Sequence, residues 1–134
     1  MRIYVLLKQV PGTSDVKMDE ETGTMVRTEH KNVINPLDEN ALAEAIRLRD
    51  TIPQAKVTAI SMGPLHAQKA LREAIALGAD DAVLLSHKHF GGSDTLATGK
   101  ALAQALVNLA GGSLGPDDLI LCGERATDGE TGQV

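Results

Sequence analysis

The sequence reads as an α/β protein in which a parallel sheet carries helices on both faces. Three observations lead there. Four short β-favouring runs read as strands: Ile3 to Leu7 and Lys56 to Ser61, which look buried on both faces in the usual pattern of parallel strands, Ala82 to Leu85, and Asp118 to Cys122 as a fourth buried strand. Segments with helical apolar spacing lie between them. Their order, β, α, β, α, β, α, β, needs right-handed crossovers, which place helices on both faces of the sheet and ligands at the carboxyl ends of the strands.

Each element has its own local reason. Ile3 to Leu7 is a continuous apolar run ended by Lys8. The stretch from Gln9 to Val33 breaks the rhythm: it is polar, with turn signals at Pro11-Gly12 and Thr22-Gly23, and predicts a hairpin excursion. Leu42, Ala45, Ile46 and Leu48 recur at helical spacing after Asn35 and Pro36. Asn35 is able to cap and proline is tolerated in a first turn, so a helix from about 36 to 50 is expected. Gly63 and Pro64 open a second helix with Ala67, Ala70, Leu71, Ala74 and Ile75 on one face and Gly78 as its C-cap. A third helix runs from Asp94 to about Ala110, with Leu96, Leu102, Leu106 and Leu109 on its apolar side and Gly111-Gly112 closing it. After the fourth strand a polar loop is expected to enter another helix where the chain runs out.

Composition narrows the function. The 134 residues suit one domain, and 43% apolar with 23% charged residues is ordinary for a globular protein. Thirteen Lys plus Arg against 18 Asp plus Glu give a net charge of −5, which provides no footprint for nucleic acid or an anionic membrane. With one Tyr, one Phe and no Trp, no base-stacking platform can be built and the core must be aliphatic. Cys122 is the single cysteine, so no internal disulfide or cysteine-based zinc site forms, which fits a reducing cytoplasm. Ile3 to Leu7 is too short for a signal-peptide core or a membrane span, so neither export nor membrane insertion is expected. The ending at Gly132, Gln133 and Val134, without a helix stop or a tail, reads as a C-terminally truncated domain.

Four loops leave the strand ends: Lys8 to Pro11, Met62-Gly63-Pro64, Gly91 to Thr98 and Gly123 to Val134. The third combines glycines, hydroxyls and a helix start. Ser93 or Asp94 can serve there as an ordinary N-cap, or the free amides and the helix dipole can receive an anion. In the fourth, Arg125 suits a phosphate and Thr131 can donate to one, while Asp128 and Glu130 would repel a diphosphate and suit capping or ribose hydroxyls. No Gly-x-Gly-x-x-Gly follows the first strand and there is no phosphate-loop Gly-Lys-Ser, which argues against the usual dinucleotide fold and a nucleoside triphosphatase. His87 and His89 are two apart with no third ligand evident, so no metal site is expected. Cys122 reads as a small core residue, and Lys8 as a surface or ion-paired lysine.

Taken together, Lys8-Gln9-Val10-Pro11, Asn35-Pro36-Leu37-Asp38, Met62-Gly63-Pro64, Leu77-Gly78-Ala79-Asp80 and the segment Gly123 to Val134 resemble the β subunit of electron transfer flavoproteins, in order along the whole chain. The resemblance implies a Rossmann-like domain related to the adenine nucleotide α-hydrolase fold. It also implies a heterodimer with an FAD-carrying α subunit, and electron delivery between acyl-CoA or other dehydrogenases and an acceptor. Conventional members hold AMP in the β subunit as a structural ligand; bifurcating ones hold a second FAD there, reduced by NADH. Gly92 to Thr98 and Asp128 to Val134 look like the bifurcating pattern. By the same resemblance the cofactor contacts are Leu6, Asn35, Pro36, Leu37 and Asp38, with Met62 and Gly63, around the adenosine end. Asp94, Thr95 and Thr98 would serve phosphates or ribityl, and Cys122, Gly123, Arg125, Ala126, Asp128, Gly129, Glu130, Thr131, Gln133 and Val134 the adenine and diphosphate. No catalytic side chain is implied, because the flavin exchanges the electrons.

Overall fold

A computed structural model describes residues 1–12, 16–18, 25–27 and 32–134. Strand β1 spans Arg2–Leu6, followed by short strands β2 (Gln9–Pro11), β3 (Val16–Met18), β4 (Met25–Arg27) and β5 (Asn32–Ile34). Helix α1 covers Pro36–Thr51, β6 Lys56–Met62, α2 Gln68–Leu77, β7 Asp81–Leu85, α3 Thr95–Leu109 and β8 Leu119–Cys122. Single 3-10 turns at Leu65–Ala67 and Lys88–Phe90 precede α2 and α3.

Four strands form a parallel sheet in the order β7-β6-β1-β8. β1 is paired on one side with β6, Leu6 opposite Ile60, and on the other with β8, Leu6 opposite Cys122. The chain moves outward from β1 to β6 to β7 and then returns past β1 to place β8, so the strand order reverses between β1 and β8. Open α/β sheets bind ligands outside the carboxyl ends of their strands at such a reversal. The expected excursion is present as antiparallel pairs, β2 with β5 and β3 with β4. The Thr22-Gly23 turn signal lies outside the described residues.

Alternation along the strands sorts the core into two faces. Ile3, Val5, Leu7, Val57 and Ala59 pack with Leu42 and Ala45 of α1 and Ala70, Leu71 and Ala74 of α2. Tyr4 and Ile60 pack on the opposite face against Leu102 and Leu106 of α3. Helices therefore cover both faces, as the strand pattern predicts. The ends of α3 depart from the expectation: Leu96 and Leu109 are exposed, because only the middle turns of the helix rest on the sheet. β8 also differs. It alternates between half-buried and exposed, not buried throughout, because it is an edge strand with Ile120 and Cys122 on an open face. Cys122 is accordingly an exposed thiol and not a core residue.

At the amino end of the sheet, Arg2 clasps Asp118 through both guanidinium branches, at 2.9 and 2.7 Å, and donates to the Ala110 carbonyl. This fixes the α3–β8 return beside the start of β1. Between α2 and β7, Gly78 takes φ 133°, a value side-chain-bearing residues rarely adopt, and its amide caps the carbonyls of Ala74 and Ile75. Two residues later Asp80 accepts from the Val57 amide at 2.8 Å and pairs with Arg49 at 3.1 Å, joining α1, β6 and β7. The Leu77-Gly78-Ala79-Asp80 motif is thus a helix stop with an anchor.

Candidate functional site

The carboxyl ends of β1 and β8 lie side by side, and the loops leaving them are fastened to the start of α1. Asp38, one turn into that helix, receives the Lys8 amide on one carboxylate oxygen at 2.8 Å and the Gly123 amide on the other at 3.0 Å. Asn35 donates through its side-chain nitrogen to the Arg125 carbonyl at 2.8 Å and accepts the Thr127 amide at 3.1 Å. Its own backbone amide donates to the Lys8 carbonyl at 2.8 Å. Asn35 is 0% and Asp38 7% exposed. Asn35 occupies the N-cap position of α1 without a side-chain capping bond, since its amide group is engaged with the 125–127 loop. This corrects the capping role expected of it. Gly123 is required by the approach: a Cβ there would stand 2.5 Å from an Asp38 carboxylate oxygen and 2.7 Å from the Leu37 carbonyl carbon.

Burial raises the Asp38 carboxyl above its ordinary 3.8, and the hydrogen bonds from Lys8, Asn35 and Gly123 offset this only in part. Asp128 moves the other way. Desolvation would raise it, but the Lys8 ammonium at 2.8 Å and the Gly129 amide hold it below the usual value. Lys8 is the ion-paired lysine expected from its position, and its charge neutralises the carboxylate that would otherwise repel an anion.

The second rim is the start of α3. Asp94 is its N-cap, accepting the Ala97 amide at 2.8 Å, so the ordinary capping reading is realised there. Ser93 bonds instead to the Phe90 carbonyl at 2.7 Å. Thr95 and Thr98 are half-buried in the first turn. The two rims meet: a Cβ at Gly99 would lie 4.0 Å from the Val134 carbonyl oxygen, so the closing segment rests on α3 one turn from Thr95. That segment makes one turn, Glu130 amide to Ala126 carbonyl at 2.9 Å, and Thr131 to Val134 are irregular.

Leu6, Cys122, Gly123, Arg125, Ala126, Asp128 and Gly129 therefore gather at the reversal together with Asn35 and Asp38. Glu130, Thr131, Gln133 and Val134 continue toward Asp94, Thr95 and Thr98. Met62 and Gly63 reach the same edge on the far side of β1, about 10 Å or two strand spacings from β8. Pro36 is exposed and Leu37 half-buried, the accessible members of their quartet. Arg125 is exposed, and its guanidinium makes no ion pair among the described residues. The Arg125 guanidinium and the Thr95 and Leu96 amides, which the Asp94 cap leaves open, are donors suited to phosphate oxygens, and Lys8 offsets the charge of Asp128 beside them. Sequence reasoning missed Ser61. Its hydroxyl, at the end of β6 on the Val57 and Ala59 face, is 1% exposed and unpartnered among the described residues. The available signal was a hydroxyl in line with the apolar Val57 and Ala59 positions of the strand.

Other features lie elsewhere. A depression of about 370 Å³ opens at the opposite edge of the sheet, where Arg2 is tied to Asp118 and Lys56 to Asp81. His87 accepts the His89 amide at 3.1 Å, and no group of three or more His, Cys, Asp and Glu among the described residues is placed to hold a metal. No described helix is long and apolar enough to cross a membrane.

A family model described as the electron transfer flavoprotein domain matches residues 22–134. The chain belongs to the electron transfer flavoprotein family. It is 51% identical over 135 residues to the electron transfer flavoprotein subunit beta of Megasphaera elsdenii, covering 100% of this chain and 50% of that protein. Against the electron transfer flavoprotein subunit beta of Thermoanaerobacterium thermosaccharolyticum the identity is 49%, over 100% of this chain and 49% of that one. The caffeyl-CoA reductase-Etf complex subunit CarD of Acetobacterium woodii is 46% identical, with 100% and 49% covered. The chain spans about half the length of the curated relatives it matches. The β-subunit resemblance and the Rossmann-like fold it implies are those of this family, and the quartet Asn35 to Asp38 is the start of α1 described above.

Proposed function

We propose that this chain belongs to an electron transfer flavoprotein β subunit that holds FAD at the carboxyl edge of its sheet, pairs with an α subunit, and passes electrons from NADH or from acyl-CoA or other dehydrogenases to acceptors in a bifurcating manner. The observation that carries this reading is the meeting of the two rims, with Val134 against Gly99 and the Gly123–Asp128 loop pinned to the end of β1. The fold supplies the general reason, since the strand order reverses there. The relative whose name places it in a caffeyl-CoA reductase-Etf complex supports a role beside an acyl-CoA-type reductase.

In this reading Arg125 and the amides at the start of α3 face the diphosphate. Lys8 keeps Asp128 neutralised beside it, and Pro36 and Leu37 offer apolar surface to the adenosine. Bound FAD supplies electron exchange at its ring system, and the protein sets position, nearby charge and water access. No side chain is assigned proton transfer.

Extraction of nucleotides from the full-length protein purified with its α subunit tests the reading. Two FAD per heterodimer is the expected result. One FAD with one AMP would replace the FAD assignment by a structural AMP, and no adenine nucleotide in the β subunit would overturn both.

A further inference from the structure

The quartet Asn35-Pro36-Leu37-Asp38 holds two of the three buried polar side chains among the described residues, and both point into the protein. The two carboxylate oxygens of Asp38 are each taken by a backbone amide, from loops that follow different strands. The Asn35 amide group bridges the Arg125 carbonyl and the Thr127 amide. With 0% exposure, Asn35 has no surface to offer a ligand. These bonds join residues 85 to 92 positions apart, and they act on the loop that carries Arg125.

We propose that Asn35 and Asp38 are positioning residues: their side chains lock the Lys8 and Gly123–Thr127 backbones into the shape that receives the nucleotide, and do not touch it. The proposal rests on the nucleotide reading given above. Buried polar groups whose nitrogen and oxygens are each bonded to backbone hold a loop in one conformation before any ligand arrives. A loop that reaches the competent shape in only a fraction of molecules weakens binding by that fraction, without altering the bound complex. Asp38→Asn replaces one acceptor by a donor facing a backbone amide. Gly123→Ala opens the same clasp by steric push, because its Cβ would fall 2.5 Å from the Asp38 carboxylate. One variant removes a charge and the other does not, yet both break one contact.

The test uses the full-length protein with its α subunit, stripped of β-subunit nucleotide, with AMP and FAD as the titrated probes at low temperature. In wild type without nucleotide, the Lys8 and Gly123 amides should exchange slowly although they lie in loops. In Asp38→Asn they should exchange faster, with the change confined to residues near 8 and 123–128. Affinity should fall about tenfold, and the circular dichroism of saturated FAD should match wild type. Gly123→Ala should reproduce these effects, and the double variant should be little worse than either single one, as expected of residues in one contact.

Rapid exchange of both amides in the nucleotide-free wild type would overturn the proposal without any variant. So would weakened binding by Asp38→Asn with unchanged exchange, or losses that multiply in the double variant, since either would place Asp38 on the ligand. If wild type bound neither probe, the nucleotide reading would fail. The exchange data would still decide whether the clasp exists.

Discussion

Two aspartates show how the same residue type serves opposite electrostatic ends. Asp38 is raised above 3.8 by burial, so the folded state holds its proton more tightly than the unfolded chain. Its contribution to stability is full below that value and falls as pH rises through the raised one. Asp80 feels desolvation too, but the Val57 amide and Arg49 outweigh it and hold its carboxyl below 3.8. Its contribution is present above 3.8 and is lost as pH falls through the lowered value. Urea unfolding from about pH 3 to 7 should therefore show opposite trends. The stability advantage of wild type over Asp38→Asn should shrink as pH rises, and its advantage over Asp80→Asn should grow. Parallel trends would contradict these assignments. Arg125 gives a third expectation at this level. Arg125→Gln should weaken AMP and FAD binding by about tenfold or more, the usual cost of a lost charge-assisted bond, and leave the melting temperature of the nucleotide-free protein unchanged. A lowered melting temperature with unchanged affinity would make it a structural residue.

The elements were legible where their signals are local. β1 and β6 announced themselves as apolar runs, and α1 and α2 by their spacing, because a strand or helix buried by its neighbours needs that pattern whatever the neighbours are; β7 was readable as a strand although it lies half-exposed at the sheet edge. The Gly78 stop was readable for the same reason. Gly78→Ala should cost about 1–2 kcal/mol in chemical denaturation, since its φ is positive and the new Cβ would press Ile46 at 3.2 Å. Removing the α3 cap by Asp94→Ala should cost about 1 kcal/mol. Features set by distant partners were not legible. Nothing near Asn35 says that its amide group is used by residues 90 and 92 positions away instead of by its own helix. Nothing in Leu119 to Cys122 distinguishes an edge strand from a central one, so the exposure of Cys122 and Ile120 appeared only with the sheet order. Nothing in the polar loop after Cys122 says how its Thr, Asp and Gly residues are used; the structure spends them on a single turn and on the Lys8 pair.

For the molecule as a whole, the sheet order is what turns a list of motifs into one site. Placing β8 beside β1, on the side away from β6, brings Lys8, Gly123 and the first turn of α1 within hydrogen-bonding distance of one another. The α3 crossover on the opposite face from α1 and α2 lets the start of that helix meet Val134 across the same edge. Arg2 and Asp118 fix the far end of that return, so their pair acts on the site at a distance by holding β8 in register. The most direct measurement is a crystal structure of the full-length two-subunit protein purified with its nucleotides. Density for an adenylate is expected between the residue 94–98 helix start and the 123–134 segment, with its phosphate oxygens near Arg125. An adenylate bound elsewhere, or that crevice filled by side chains, would contradict the assignment.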